Sequence, residues 1–116
     1  MKQKILKNKI IKIFKNHKLS SAHALICANA LINAELVGAP THGLSRLKMY
    51  CDRINKKVIN PKPKIIIKKI SQSISHVDAD NSIGFVAADT AIKTAIKNAK
   101  KTGIGLVAVK NSGHYG

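Results

Sequence analysis

His42, Arg46 and Tyr50 recur at four-residue intervals in the stretch 41–50, Thr-His-Gly-Leu-Ser-Arg-Leu-Lys-Met-Tyr. If that stretch is helical, an imidazole, a guanidinium and a phenol line one face. An imidazole exchanges protons near neutral pH. A guanidinium grips a carboxylate through two parallel hydrogen bonds. A helix N-terminus at His42 favours an anion beside it. Together these groups make a polar site. The alternative is a solvated helix face with Thr41 as its cap.

A second polar group, Asn111-Ser112-Gly113-His114-Tyr115-Gly116, directly follows the apolar run 104–109. Loops at the C-terminal ends of strands in α/β layers are where ligands usually bind. The glycines flanking His114 allow close approach of a ligand. An ordinary strand-to-helix turn, capped by Ser112 or Asn111, is the alternative.

Other patterns carry no chemistry. Gly103-Ile104-Gly105 precedes a strand, whereas a dinucleotide-binding glycine motif follows one. Asp78-Ala79-Asp80-Asn81-Ser82 begins like a calcium loop, but its sixth position is Ile83 and its twelfth is Asp89. The histidines, His17, His23, His42, His76 and His114, lack zinc spacing and cysteine partners, so no metal is expected. Ser45 has no His/Asp arrangement for nucleophilic catalysis.

The elements that must position these residues follow from periodicity. Ile5, Leu6, Ile10, Ile13 and Phe14 fall at helical spacing and predict a helix over 3–16. Ser20 or Ser21 caps a second helix, which ends at Val37-Gly38. Thr41 caps a third helix over 42–55, with Leu44, Leu47 and Cys51 as its buried face. Residues 56–63 are a polar, proline-broken connection. The runs 65–67 and 74–77 are short strands, and 78–82 is a turn. A helix over 83–101 presents Val86, Ala87, Ala91, Ile92, Ala95, Ile96 and Ala99 to a core, and the run 104–109 is a fully buried strand. The fold class is therefore mixed α/β, an N-terminal three-helix region (1–55) followed by the start of an α/β layer (64–116) in the order β-β-α-β. A buried strand and loop of this kind ordinarily lead into a further element, so the layer is expected to be incomplete at Gly116.

The chain has 116 residues, one small domain's worth, with 21 Lys and Arg against 5 acids and a net charge of +16. Its 45% apolar content excludes a disordered tail. Strong positive charge makes a small basic nucleic-acid-binding protein the alternative function. Against it, Arg46 and Arg53 are the only arginines, Phe14, Tyr50, Phe85 and Tyr115 the only aromatics, and the lysines are spread along the chain. Cys27 and Cys51 form no CxxC, and no secretory signal or membrane-length apolar run is visible, so a reducing, cytoplasmic setting is expected.

The stretches 34–50 (AELVGAPTHGLSRLKMY), 59–65 (INPKPKI) and 77–116 (VDADNSIGFVAADTAIKTAIKNAKKTGIGLVAVKNSGHYG) resemble the malate/L-lactate dehydrogenase family, which is distinct from the Rossmann lactate and malate dehydrogenases. The resemblance implies a non-Rossmann α/β fold. It also implies NAD- or NADP-dependent hydride transfer on 2-oxo or 2-hydroxy acids and a homodimer in the complete protein. By the same resemblance His42 is the acid/base residue, with His114 its rival, and Arg46 is the ligand of the substrate carboxylate. Tyr50 lines that pocket, and Asn111 and Ser112 are the candidates for cofactor contact. Thr41 stands in place of the family's usual Ser, Glu35 in place of Asp, and Val37 where a basic residue is common. Lys57 stands where a turn glycine is common, so that turn is expected to be strained. Family members are roughly three times as long, so little or no dehydrogenase activity is expected of the 116 residues alone. A non-catalytic chain that pairs with another supplying the rest is the remaining alternative.

Overall fold

A computed structural model describes residues 2–39 and 42–114. The elements are α1 (Lys2–Asn16), α2 (Ser21–Leu36), a 3-10 turn (Leu44–Arg46), α3 (Leu47–Asn55), β1 (Ile66–Lys69), β2 (Ile74–Ser82), α4 (Gly84–Thr102) and β3 (Leu106–Ser112). The strands form one sheet in the order β1-β2-β3. β1 pairs antiparallel with β2, in the register Ile66↔Asp78, and β2 pairs parallel with β3, in the register Ile74↔Leu106. The mixed α/β order read from the sequence is what forms.

Local chemistry sets the helix ends. The Ser20 hydroxyl accepts the His23 N–H at 3.1 Å and caps α2. Gly38 (φ 79°) and Gly103 (φ 88°) adopt the left-handed conformation that ends α2 and α4. Lys57 sits at φ 62°, one residue beyond the cap of α3. This is the expected strain, since a Cβ disfavours that conformation. Because Lys57 is exposed, Lys57→Gly should stabilise the chain by about 0.5–1 kcal/mol in urea titration, the relief of strain outweighing the added freedom of the unfolded chain. A lower unfolding midpoint would contradict it.

An apolar core joins the helices to the α/β layer. It contains Ile10 and Phe14 of α1, Leu19, Ala24, Cys27, Ala28 and Leu31 in and before α2, Tyr50 and Ile54 of α3, Ile59, and Ile83 and Val86 at the head of α4. Burial pushes the Cys27 thiol up to about 12, so it is inert packing at neutral pH. On β2, Ser75, Val77 and Ala79 alternate as buried residues. The Asn98 amide of α4 donates to the Ser75 hydroxyl at 3.0 Å, which marks that side as the face under α4.

Four expectations are corrected. Residues 78–82 are not a turn between elements but the end of β2, kinked by a bulge: Asp78 faces Lys110, yet Ser82 faces Ser112. Asp80 and Asn81 absorb the extra length at positive φ. β3 alternates instead of being fully buried, because among the described residues it pairs with β2 alone and has α4 on one side. Ile92 and Ile96 of α4 lie 57% and 48% exposed, while the smaller Val86 and Ala87 are buried. The third helix starts at Leu47, and Tyr50 and Ile54, not Leu44, Leu47 and Cys51, are its fully buried residues. The capping role expected of Thr41 lies outside the described residues.

Candidate active site

His42 closes the turn that follows α2. Its backbone N–H donates to the Ala39 carbonyl at 3.0 Å. Gly43, at φ −104° and ψ −134°, breaks any continuous helix through this stretch. The expected stripe of His42, Arg46 and Tyr50 on one helix face therefore does not form as such. The 3-10 turn Leu44–Arg46 intervenes and changes the angular step. Arg46 is half-buried, and its guanidinium donates to the Met49 sulfur at 3.5 Å. Tyr50 points into the core, 2% exposed, with its ring edge-on to Phe85 at 5.5 Å between centroids. Burial pushes the Tyr50 phenol up, and the nearby Arg46 cation works against that shift.

His114 arrives from the other end of the sequence. The loop after β3 crosses the first turn of α4, where the Gly113 N–H donates to the Ser82 carbonyl at 3.1 Å. A Cβ built on Gly84 would stand 2.5 Å from the His114 carbonyl oxygen and 2.7 Å from that of Gly113. Glycine at 84 is thus what admits this loop. The two carbonyls lie over the positive end of α4. Asn111, at φ 56°, donates its side-chain amide to Asp78 Oδ1 at 3.0 Å. Ser112 donates its hydroxyl to the Gly113 carbonyl at 2.8 Å.

The outcome is that His42 and His114, 72 positions apart (114 − 42), meet edge to face, with ring centroids 6.0 Å apart and planes at 62°. His42 also lines a cleft of about 600 Å³ between α2 and α4, together with Ile26, Ala30, Asn33, Phe85 and Asp89. Phe85 lies between the two groups of residues: it walls this cleft and packs on Tyr50. Tyr50 therefore stands behind the cleft wall. Another hollow, of about 560 Å³ near the ends of α1 and α3, contains none of the nominated residues. Among the described residues, no group of three or more His, Cys, Asp and Glu side chains could hold a metal ion, and no helix is long and apolar enough to cross a membrane.

Several positioning residues escaped sequence reasoning. Phe85 and Gly84 open an amphipathic helix, and the signal that could have found them is Gly-Phe at its first turn. Asp78 belonged to the dismissed calcium-like run. Its carboxylate accepts from the Asn111 amide and the Asp80 N–H. Those two donors, with Lys110 adding to them, hold its pKa below the usual carboxylate range. A depressed carboxylate stabilises the fold above its unfolded pKa and loses that contribution as pH falls through its folded value. Acidification below about pH 4 should therefore loosen the His114 loop. Faster exchange of the Gly113 amide in that range, absent in Asp78→Asn, checks this. Unchanged exchange would contradict it.

The family model for malate/L-lactate dehydrogenase matches residues 1–116. The chain is 47% identical over 93 residues to a malate dehydrogenase of Pyrococcus abyssi, covering 80% of this chain and 26% of that protein. The solved malate dehydrogenase from Pyrococcus horikoshii OT3 superposes with a TM-score of 0.94 at 37% identity, covering 98% of this chain and 33% of that one. The sulfolactate dehydrogenase from Methanocaldococcus jannaschii gives a TM-score of 0.95 at 35% identity, with 98% and 33% coverage. The chain spans about a third of the length of these solved relatives. With this match along its whole length, the chain belongs to the malate/L-lactate dehydrogenase family.

Proposed function

We propose that these residues form the acid/base and carboxylate-binding part of an NAD- or NADP-dependent enzyme that interconverts small 2-oxo and 2-hydroxy acids. The observation that carries this reading is the contact between His42, which lines the α2/α4 cleft, and His114.

A nicotinamide, when bound, would supply or take up the hydride at C2 of the acid. The chain's own residues do the rest. Charge builds on the carbonyl oxygen as C2 is reduced, and the His42 imidazolium donates its ring proton there, so no free alkoxide has to persist. In the reverse direction the neutral ring takes the proton from the hydroxyl. Arg46 holds the acid end through paired hydrogen bonds, which fixes the C2 face toward the cofactor. His114, beside His42, is positioned to share or relay the proton. Phe85 and the buried Tyr50 keep water from one side of the site.

The cleft fits the cofactor's ring in chemistry: Ile26, Ala30, Phe85 and Ala88 offer apolar surface, and Asn33 an amide partner. Among the described residues, no Lys or Arg lines it to meet a pyrophosphate. The side chains of Asn111 and Ser112 make internal bonds, so their contribution to cofactor contact is through the loop they shape. A homodimer and a cytoplasmic setting complete the reading. They rest on the family resemblance and, for the setting, on the free thiols of Cys27 and Cys51.

The test is a graft in which residues 1–116 replace the matching third of the P. horikoshii enzyme. Oxidation of NADH or NADPH by a 2-oxo acid is expected. A folded graft with no such activity would overturn the proposal.

A further inference from the structure

We propose that Glu35 is the positioning residue for His42 and Arg46: from the last turn of α2, its carboxylate holds the turn between them, and so sets the His42 ring against His114. This rests on the roles proposed above for His42 and Arg46.

Glu35 Oε1 accepts the Leu44 N–H at 2.9 Å, a bond spanning nine residues of chain. The 3-10 turn Leu44–Arg46 has no side-chain cap of its own; Gly43, at its N-cap position, cannot supply one. Glu35 therefore does the capping from a neighbouring helix, meeting an orphan N–H with a charged acceptor. Its negative charge also lies at the end of the turn where backbone dipoles are positive.

Gly43 is shaped to this contact. A Cβ there would stand 2.5 Å from Glu35 Oε1 and 2.9 Å from both Cγ and Cδ. The glycine leaves to the carboxylate the space that a Cβ would take. The Ala39 carbonyl, just beyond the end of α2, holds the His42 N–H. Together Ala39 and Glu35 grip the turn on either side of Gly43. Glu35 is itself exposed, so its charge is solvated and its removal leaves no buried orphan charge. The effect of removal is local: the Leu44 N–H loses its acceptor, and His42 and Arg46 lose their fixed separation.

The 116-residue chain tests this by NMR, with wild type, Glu35→Ala, Glu35→Gln, Gly43→Ala and the Glu35→Ala/Gly43→Ala double variant. Wild type should show a nuclear Overhauser contact between the His42 and His114 rings and another between Tyr50 and Phe85. In Glu35→Ala the Leu44 amide should exchange roughly tenfold or more faster. The histidine contact should vanish while the Tyr50–Phe85 contact stays. Glu35→Gln, which keeps an acceptor oxygen, should retain the histidine contact. Gly43→Ala should displace the carboxylate and match Glu35→Ala, and the double variant should be no worse than Glu35→Ala alone.

Retention of the histidine contact in Glu35→Ala, loss of the Tyr50–Phe85 contact along with it, or full additivity in the double variant would each overturn the proposal. Should Glu35→Ala not fold, Glu35→Gln and Gly43→Ala decide: the first keeping and the second losing the histidine contact supports it, and any other pairing refutes it. Failure of the functional reading looks different, since a graft whose turnover ignores His42 would leave these NMR outcomes intact.

Discussion

Replacing His42 by Asn in the P. horikoshii graft is expected to lower turnover of a 2-oxo acid by roughly a hundred- to ten-thousandfold, the usual contribution of a positioned proton donor. Asn keeps a polar side chain of similar bulk but cannot deliver a proton near neutral pH. KM should change little, because the carboxylate grip is untouched. His114→Asn is the necessary companion. The rings are 6.0 Å apart, close enough for His114 to influence proton transfer, but His42 lines the cleft. The larger fall is therefore expected at His42. Equal turnover in His42→Asn and the parent graft, measured at saturating cofactor, would remove the role.

Arg46→Lys in the same graft should lower kcat/KM roughly ten- to hundredfold, mostly through KM. A lysine keeps the charge but not the planar fork that bonds both carboxylate oxygens. Hydrogen bonds to charged groups are worth about 1.5–3 kcal/mol each. The loss should shrink for a substrate analogue lacking the carboxylate. A uniform loss across acids and neutral analogues would mean that the substitution merely disturbs packing near Met49 and Tyr50.

Much of the fold was legible because it is written in local rules. Helix ends at Ser20, Gly38 and Gly103 follow from one hydroxyl and two left-handed residues. The strain at Lys57 was expected from the resemblance alone, where a turn glycine is common, and its φ of 62° agrees with it. The misreadings have a shared cause: they depend on what lies across the fold. Asp78-Ala79-Asp80-Asn81 has turn composition, but pairing to β1 and β3 keeps it in the sheet and turns its polar residues into a bulge. The apolar run after Gly103 reads as buried, and alternates because, among the described residues, α4 covers one side of it.

The site was half legible for the same reason. Residue types and spacing nominated His42, Arg46 and His114. Four-residue spacing also put Tyr50 on their stripe, but Gly43 and the 3-10 turn reset the phase and the phenol ring went to the core. Nothing local reveals that the His114 loop returns over Gly84, or that Glu35 reaches Leu44. The first exists only once β3 has paired with β2 beside the head of α4, and the second only once the chain turns back over the end of α2.

Transfer of deuterium from C4-deuterated NADH or NADPH to C2 of the hydroxy acid product, followed in the graft with and without His42→Asn, probes the chemistry most directly. Deuterium at C2 in the parent graft, with the rate collapsing in the variant, is the predicted result. Product without deuterium at C2, or deuterium transfer at an undiminished rate without the imidazole, would contradict it.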